Sequence, residues 1–414
     1  MGHVGDFQFD TGSYQLWVRS TKCTAALCTG LKSYDGSKSS TYVSTTTPAP
    51  KVTYADGTKV SGVYAFDTVG IAGLKVARLP FMEVTETNDP HGTVFDGIMG
   101  MCWPPVNAPK TYFLSLVDNG GFNSPAMGYY LNKGATAGAV TMGGVDTARF
   151  TGQLTWVPSF GYAADGSGAG PFIFFQGLTI GAAYTNDTGT TNIPWTQPQD
   201  NFLAVFDTGT SYGIVPTRVA AALHANIPGI TSRKTASGTM WSVACSEANF
   251  GTFGDMSLKF VGMGGEIVTL TVEPAVYFVV YSKKGGGYTC ESTIVGNDDI
   301  QTPVVQNGPV IGAILGNAFL QKFYTVFDWS TNRTGFATAV REQNVTPNLV
   351  ALNTSTTGTG SNASTNVFRN YWPATPTSDG ESTILSNIGG YALKGAPSIA
   401  NLASTLTSIW MLFA

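Results

Sequence analysis

Two short stretches of this chain set an aspartate between an apolar run and a turn of small residues. They are Phe7-Gln8-Phe9-Asp10-Thr11-Gly12-Ser13 and Leu203-Ala204-Val205-Phe206-Asp207-Thr208-Gly209-Thr210. Cutting an amide without a metal needs one group to activate water and another to protonate the carbonyl oxygen or the departing nitrogen. Two carboxylates can do both if they share one proton, because like charges at close range cannot both ionise. Such a pair titrates as a unit. The flanking residues suit that chemistry. Gly12 and Gly209 permit a tight turn that brings backbone N–H groups to each carboxylate. Ser13 and Thr210 can donate hydroxyl hydrogen bonds to its oxygens, and Thr11 and Thr208 can cross-link the two loops. One Asp-Thr-Gly alone is equally an Asx-turn. The duplication points to a site.

The elements around these loops repeat as well. Each Asp-Thr-Gly is followed, much later, by two apolar residues and a glycine: Ile98-Met99-Gly100 in the first half and Ile314-Leu315-Gly316 in the second. Two similar halves with one carboxylate each imply a two-lobed molecule with the site between the lobes. Strand-like runs dominate, at 66–71, 138–142, 171–180, 267–272, 276–281 and 322–328, bounded by Gly, Pro, Asn and Asp. Helical stretches are few, at 111–119, 217–225 and 318–321. The fold class is all-β with a few short helices. We divide the chain into a first lobe over 1–155, a second over 156–340, and a Ser/Thr-rich tail over 341–414 with the look of a linker or stalk.

Composition excludes several alternatives. The 414 residues carry 12% charged side chains and a formal net charge of −4, with no clustered basic patch to bind nucleic acid. His3, His91 and His224 are not read as members of a triad hydrolase. Gly285-Gly286-Gly287 lacks the P-loop order. The five cysteines form no paired CxxC set, so neither a metal nor a cofactor is expected. Cys23 and Cys28 can close a small disulfide loop and Cys245 and Cys290 a longer one, leaving Cys102 single; the alternative is five reduced thiols. Asn-X-Ser/Thr sequons at Asn186, Asn332, Asn344, Asn353 and Asn362 favour the secreted, oxidised alternative.

On these motifs the chain resembles the pepsin-like aspartic endopeptidases over about residues 5–340. The matching pieces are Phe-Asp-Thr-Gly-Ser-Tyr-Gln-Leu-Trp-Val (9–18), Phe-Asp-Gly-Ile-Met-Gly (95–100), Phe-Asp-Thr-Gly-Thr-Ser (206–211) and Ile-Leu-Gly-Asn-Ala-Phe-Leu (314–320), with closing strands at Tyr324–Asp328 and Gly335–Ala337. The resemblance implies an acid-active endopeptidase of two β lobes, probing peptide or protein substrates as a monomer, with bulky hydrophobic residues preferred around the cut. It makes Asp10 and Asp207 the catalytic pair and 52–58 a flap over the substrate. In that flap Tyr54, Asp56 and Gly57 contact substrate and Trp17 supports the tyrosine; an Asp-Gly pair between strand-like runs is a hairpin signal in its own right. Ile98 lines a substrate pocket by the same resemblance, and a core position suits it equally. Cys23–Cys28 and Cys245–Cys290 match family disulfides. Asp96, Asp118, Asp146 and Asp328 are assigned to turns.

The chain departs from the family in four places. Ala55 replaces a flap glycine and Tyr14 stands where a small residue is usual. Only residues 1–9 precede Asp10, where the family carries a further strand, and no apolar leader is present. An open edge on the sheet that joins the lobes, and with it poor folding, is therefore expected. The uncharged end at 399–414, preceded by small residues around Ser386–Gly390, fits a lipid-attachment signal and hence a membrane or cell-wall anchor, and equally a plain disordered or loosely helical tail. Secretion is favoured over a vacuolar or lysosomal location. Two other functions fit parts of the sequence, a non-catalytic peptide binder and a structural wall protein; both retained aspartates speak against the first, and only the Ser/Thr-rich tail supports the second.

Overall fold

The computed structural model describes residues 4–28, 32–54, 57–88, 95–102, 104, 108–122, 124–131, 138–159, 176–179, 183–186, 189–192, 202–283, 286–299, 310–340, 345–352, 356–359 and 409–413. The strand Val4–Asp10 alternates as its pleat requires. Phe7 and Phe9 are buried in the core of the first half, while Gln8 and Asp10 share the opposite face. Gly97–Gly100 runs parallel to this strand and antiparallel to Leu16–Arg19, which in turn runs parallel to Leu74–Thr87. The last belongs to a long hairpin with Lys59–Ile71. Ile409–Phe413 pairs antiparallel with both Val4–Phe7 and Val69–Ile71, so six strands close into a ring. Val4–Asp10 thus has a neighbour on each side.

The second half is wired in the same way. Phe202–Phe206 runs parallel to Val310–Leu315, which is antiparallel to Gly213–Val215, and that strand is parallel to Ile294–Gly296. Each aspartate therefore leaves the end of a central strand whose parallel neighbour carries the apolar-apolar-Gly step. Burial explains the central position, since Ala204, Val205 and Phe206 are all within the core and Phe206 meets the rings of Phe260 and Phe336.

A six-stranded antiparallel sheet draws on both halves: Thr357–Thr359, Phe150–Pro158, Arg333–Ala339, Phe323–Asp328, Ala126–Leu131 and Gly138–Met142. The division at Thr155 falls inside its second strand, at a register shift. Part of the tail is packed here. Leu349–Val350 pairs with Val145–Asp146, and the Asn348 amide donates to Asp146 at 2.8 Å.

The helices at Tyr112–Asp118, Thr217–His224 and Asn317–Leu320 occupy the helical stretches named from sequence. Thr111 caps the first by accepting from the Leu114 amide. The strand expected over 276–281 is shorter. Pro274–Tyr277 forms one helical turn, and the strand is Phe278–Ser282. Pro274 at the first helical position, where no N–H is required, favours that turn, and a short apolar run does not by its period tell helix from strand.

His224 at the end of its helix is fully enclosed. One ring nitrogen meets the Ala220 carbonyl at 2.6 Å and the other the Ser292 hydroxyl at 2.7 Å, with the ring stacked on Trp241. Burial lowers its pKa to about 4, against a smaller upward push from the Ala220 carbonyl. The unfolded chain takes up this proton near pH 6.5 and the folded protein only near 4, so His224 supports the fold fully above 6.5. That support is lost as pH falls between the two values, up to about 3 kcal/mol. Melting curves from pH 7 to 4 should therefore fall less steeply for His224→Gln than for the wild type; parallel slopes would remove His224 from the acid response.

Candidate active site

Asp10 and Asp207 meet across the two halves through loops of identical design. In each, the glycine amide donates to one carboxylate oxygen, Gly12 to Asp10 Oδ1 at 2.8 Å and Gly209 to Asp207 Oδ1 at 2.7 Å. The hydroxyl three residues on donates to the other oxygen, Ser13 to Asp10 Oδ2 and Thr210 to Asp207 Oδ2, the latter at 2.6 Å. The pair is nearly closed to solvent, with Asp10 4% and Asp207 9% exposed. Burial raises the pKa of Asp10 well above the ordinary carboxylate value, and the Asp207 charge raises it further, against lowering hydrogen bonds from Ser13 and Gly12. A proton is thereby held on the pair.

Thr11 and Thr208 lock the loops together. The Thr11 amide donates to Thr208 Oγ1 and the Thr208 amide to Thr11 Oγ1, both at 3.0 Å. Each hydroxyl then donates onward to the opposite strand, Thr11 to the Phe206 carbonyl at 2.8 Å and Thr208 to the Phe9 carbonyl at 2.7 Å. Every threonine hydroxyl is both acceptor and donor, as a buried hydroxyl must be to avoid a desolvation cost.

The glycines serve a second purpose besides bringing their amides to the carboxylates. Neither Gly12 nor Gly209 has positive φ. A Cβ on Gly12 would lie 2.6 Å from the Asp207 carboxyl carbon, and one on Gly209 would lie 2.4 Å from Asp10 Oδ1. They are glycines because the opposite carboxylate occupies the space.

Two supporting residues escaped the sequence reading. Gln8 Nε2 donates to the Gly209 carbonyl at 3.0 Å and Asn317 Nδ2 to the Thr208 carbonyl at 2.8 Å. Gln8 could have been found from the alternation that puts it on the same face as Asp10. Asn317 follows directly on the Ile314-Leu315-Gly316 step, and a buried amide there was the available signal.

The hairpin expected to cover the site joins Val52–Thr53 to Lys59–Ile71, with the Tyr54 amide donating to the Thr58 carbonyl at 2.8 Å. Gly57 has φ 88°, as a turn glycine should. Trp17 Nε1 donates to the Tyr54 hydroxyl at 2.7 Å. Ile98 is buried in the same cluster, beside Trp17, Val60 and Met82. Asp56 lies outside the described residues.

Cys23–Cys28 and Cys245–Cys290 are joined, with Cα separations of 6.0 and 5.8 Å. Cys102 is buried, its amide donating to the Ser13 carbonyl at 2.9 Å. Burial and then the two aspartates push its thiol pKa well up, so it stays protonated beside the dyad. Tyr14 borders a pocket with Tyr64, Pro80, Met82, Lys110 and Tyr112. The Asn332 sequon is exposed at the turn between Phe323–Asp328 and Arg333–Ala339. Asn186 lies in the strand Ala183–Asn186, while Asn344, Asn353 and Asn362 fall outside the described residues.

The aspartates assigned to turns are held by structural partners. Asp96 accepts from the Asp6 amide, Asp118 pairs with Lys110, and Asp146 with Arg149 at 3.0 Å. Asp328 accepts from Ser330, Thr331 and Arg333; burial alone would raise its pKa, and these bonds hold it below the ordinary value.

Comparison with known proteins places this geometry. The family model described as "Eukaryotic aspartyl protease" matches residues 5–339. Gastricsin of Suncus murinus is 30% identical over 341 residues, covering 80% of this chain and 77% of the relative. Cathepsin E of Aquarana catesbeiana is 32% identical over 343 residues, covering 80% and 75%. Vacuolar protease A of Aspergillus fumigatus is 30% identical over 341 residues, covering 80% and 74%. With its two lobes and paired Asp-Thr-Gly loops, the chain belongs to the eukaryotic aspartyl proteases and is an aspartic endopeptidase.

Proposed function

We propose that Asp10 and Asp207 are the catalytic pair, and that they cleave extended peptides at acid pH between bulky hydrophobic residues. The observation that carries this reading is the raised Asp10 pKa beside Asp207 in a buried, cross-linked pair of loops. Asp10 holds the shared proton, and a water rests between the carboxylates. Asp207 takes a proton from that water as its oxygen attacks the peptide carbonyl carbon, while Asp10 gives its proton to the carbonyl oxygen. The tetrahedral diol then collapses as the Asp207 proton passes to the nitrogen, one diol hydroxyl returns a proton to Asp10, and the C–N bond breaks to leave a carboxylic acid and an amine. Thr11, Gly12, Ser13, Thr208, Gly209 and Thr210 hold the geometry, while Tyr54, Asp56 and Gly57 close over the substrate, with Trp17 bracing Tyr54 and Ile98 bordering the bound side chain.

Activity should fall as pH rises past the point where both carboxylates ionise, because no acid then remains to protonate the leaving group. Digestion of a denatured protein across pH 3–7, with and without a statine-type inhibitor, tests the reading. Inhibitor-sensitive cleavage confined to acid supports it; cleavage that persists at pH 7 or ignores the inhibitor rejects it.

The lobes are assigned to 1–155 and 156–340. Secretion follows from the two disulfides and the exposed Asn332 sequon. Among the described residues no helix is long and apolar enough to cross a membrane. A lipid anchor added near Ser386–Gly390 would remove Ile409–Phe413 from the barrel, so mass spectrometry of the mature C-terminus decides that attachment: an end at Ala414 excludes it.

A further inference from the structure

Both halves set their aspartate strand between two neighbours, but they recruit the antiparallel one differently. In the second half Gln176–Thr179, a short way upstream, pairs with Phe202–Val205. In the first half the same place is filled from the far end of the chain, with Val4 facing Leu412 and Phe7 facing Ile409. The incoming strand also pairs on its other side, Val69 with Phe413 and Ile71 with Met411. We propose that the gap between Val4–Asp10 and Lys59–Ile71 is a strand-acceptor site, that the chain's own Ile409–Phe413 occupies it, and that this occupancy holds the Asp10 loop in place.

Three observations converge on this. Without an occupant, the Val4–Asp10 and Lys59–Ile71 edges would face each other across a one-strand gap with unpaired amides and carbonyls. The core beneath, including Phe7, Val69 and Ile71, is almost completely buried in the closed ring. The occupant Ile-Trp-Met-Leu-Phe carries no charge, glycine or proline, as suits a strand bonded on both edges. In the second half the corresponding place is filled by Gln176–Thr179. The effect on the site runs along one strand: Val4–Asp10 carries Gln8, bonded to the Gly209 carbonyl, and ends at the aspartate.

The site can be tested without reference to catalysis. In the full chain, hydrogen exchange at Val4–Phe7 and Val69–Ile71 should be slowed as for central strands, about 10³-fold or more relative to open amides. Met411→Pro removes a ladder donor on a doubly paired strand; it should speed exchange at both partner segments at least about tenfold and lower Tm by about 5 °C. A chain lacking 409–414 should bind the synthetic peptide of residues 407–414 and regain its Tm, while the same peptide with proline at 411 should do nothing. If the shortened chain does not fold, exchange in the full chain and the Met411→Pro comparison still decide. Unprotected amides at Val4–Phe7 in the full chain, or an unchanged Tm and exchange in Met411→Pro, would overturn the proposal. So would mixed isotope-labelled copies showing that the strand comes from a second molecule.

Discussion

Asp207→Asn should give a folded protein that binds a statine-type inhibitor's peptide backbone but turns over substrate about 10⁴-fold more slowly, or not at all. The amide keeps the shape of the carboxylate; its oxygen can still accept from the Gly209 amide, and its NH2 can donate to a Thr210 hydroxyl turned to accept, so the loop has little reason to move. It cannot take a proton from water. Asp10→Asn should fail equally, since a fixed amide replaces the group on which the shared proton resides. The double variant should be hardly worse than either single one, because members of one catalytic unit do not contribute additively. Asp96→Asn and Asp328→Asn are the controls. Their partners are backbone amides, hydroxyls and Arg333, so they should lower stability and spare kcat. Acid cleavage rates and melting curves for all five proteins separate these roles, and substantial turnover by Asp207→Asn would defeat the dyad.

The next largest effect is expected from one methyl group. Gly209→Ala places a carbon 2.4 Å from Asp10 Oδ1, inside any van der Waals contact. Something must shift, and both Asp10 and the loop bearing Asp207 are anchored by several bonds. A displacement of the order of 1 Å at reacting groups costs about 100-fold in rate. We expect kcat to fall by at least that factor. Gly12→Ala, which meets Asp207 at 2.6 Å, should behave alike. Gly73→Ala is the informative comparison. Gly73 has φ 86° and open space around its missing Cβ, so alanine there strains the backbone by about 1 kcal/mol and leaves the site untouched. Wild-type kcat in Gly209→Ala would show that the carboxylates tolerate a wider spacing than the structure displays.

Local chemistry was legible in the sequence, and long-range partnership was not. Asp10, Ser13 and Gly12 lie within four positions, so their mutual bonds follow from one turn; the same holds for Asp207, Thr210 and Gly209. The cross-link between Thr11 and Thr208 was legible because the two loops repeat. The crowding at Gly12 was not legible, since it comes from a side chain of the other half. Asn317 and Gln8 act on residues far away in the chain, and no spacing rule ties them to Thr208 or Gly209. Ile409–Phe413 was hardest to place. A strand bonded on both edges has no polar alternation, and a short uncharged run near the chain end suits an anchor signal as well as a barrel. The Pro274–Tyr277 turn was hidden for a similar reason, an apolar run with ambiguous period.

The threonine lock also governs how the molecule can move. Thr11 and Thr208 form a nearly two-fold set of four bonds, with both halves contributing to each of them. Pulling the loops apart would strand buried amides, hydroxyls and carbonyls on both sides, at about 1–3 kcal/mol for each group left unsatisfied. The four bonds therefore act as a clamp on the two aspartates, and groups far from them are not tied by it. Substrate can be admitted at the rim while the spacing of the two carboxylates stays fixed.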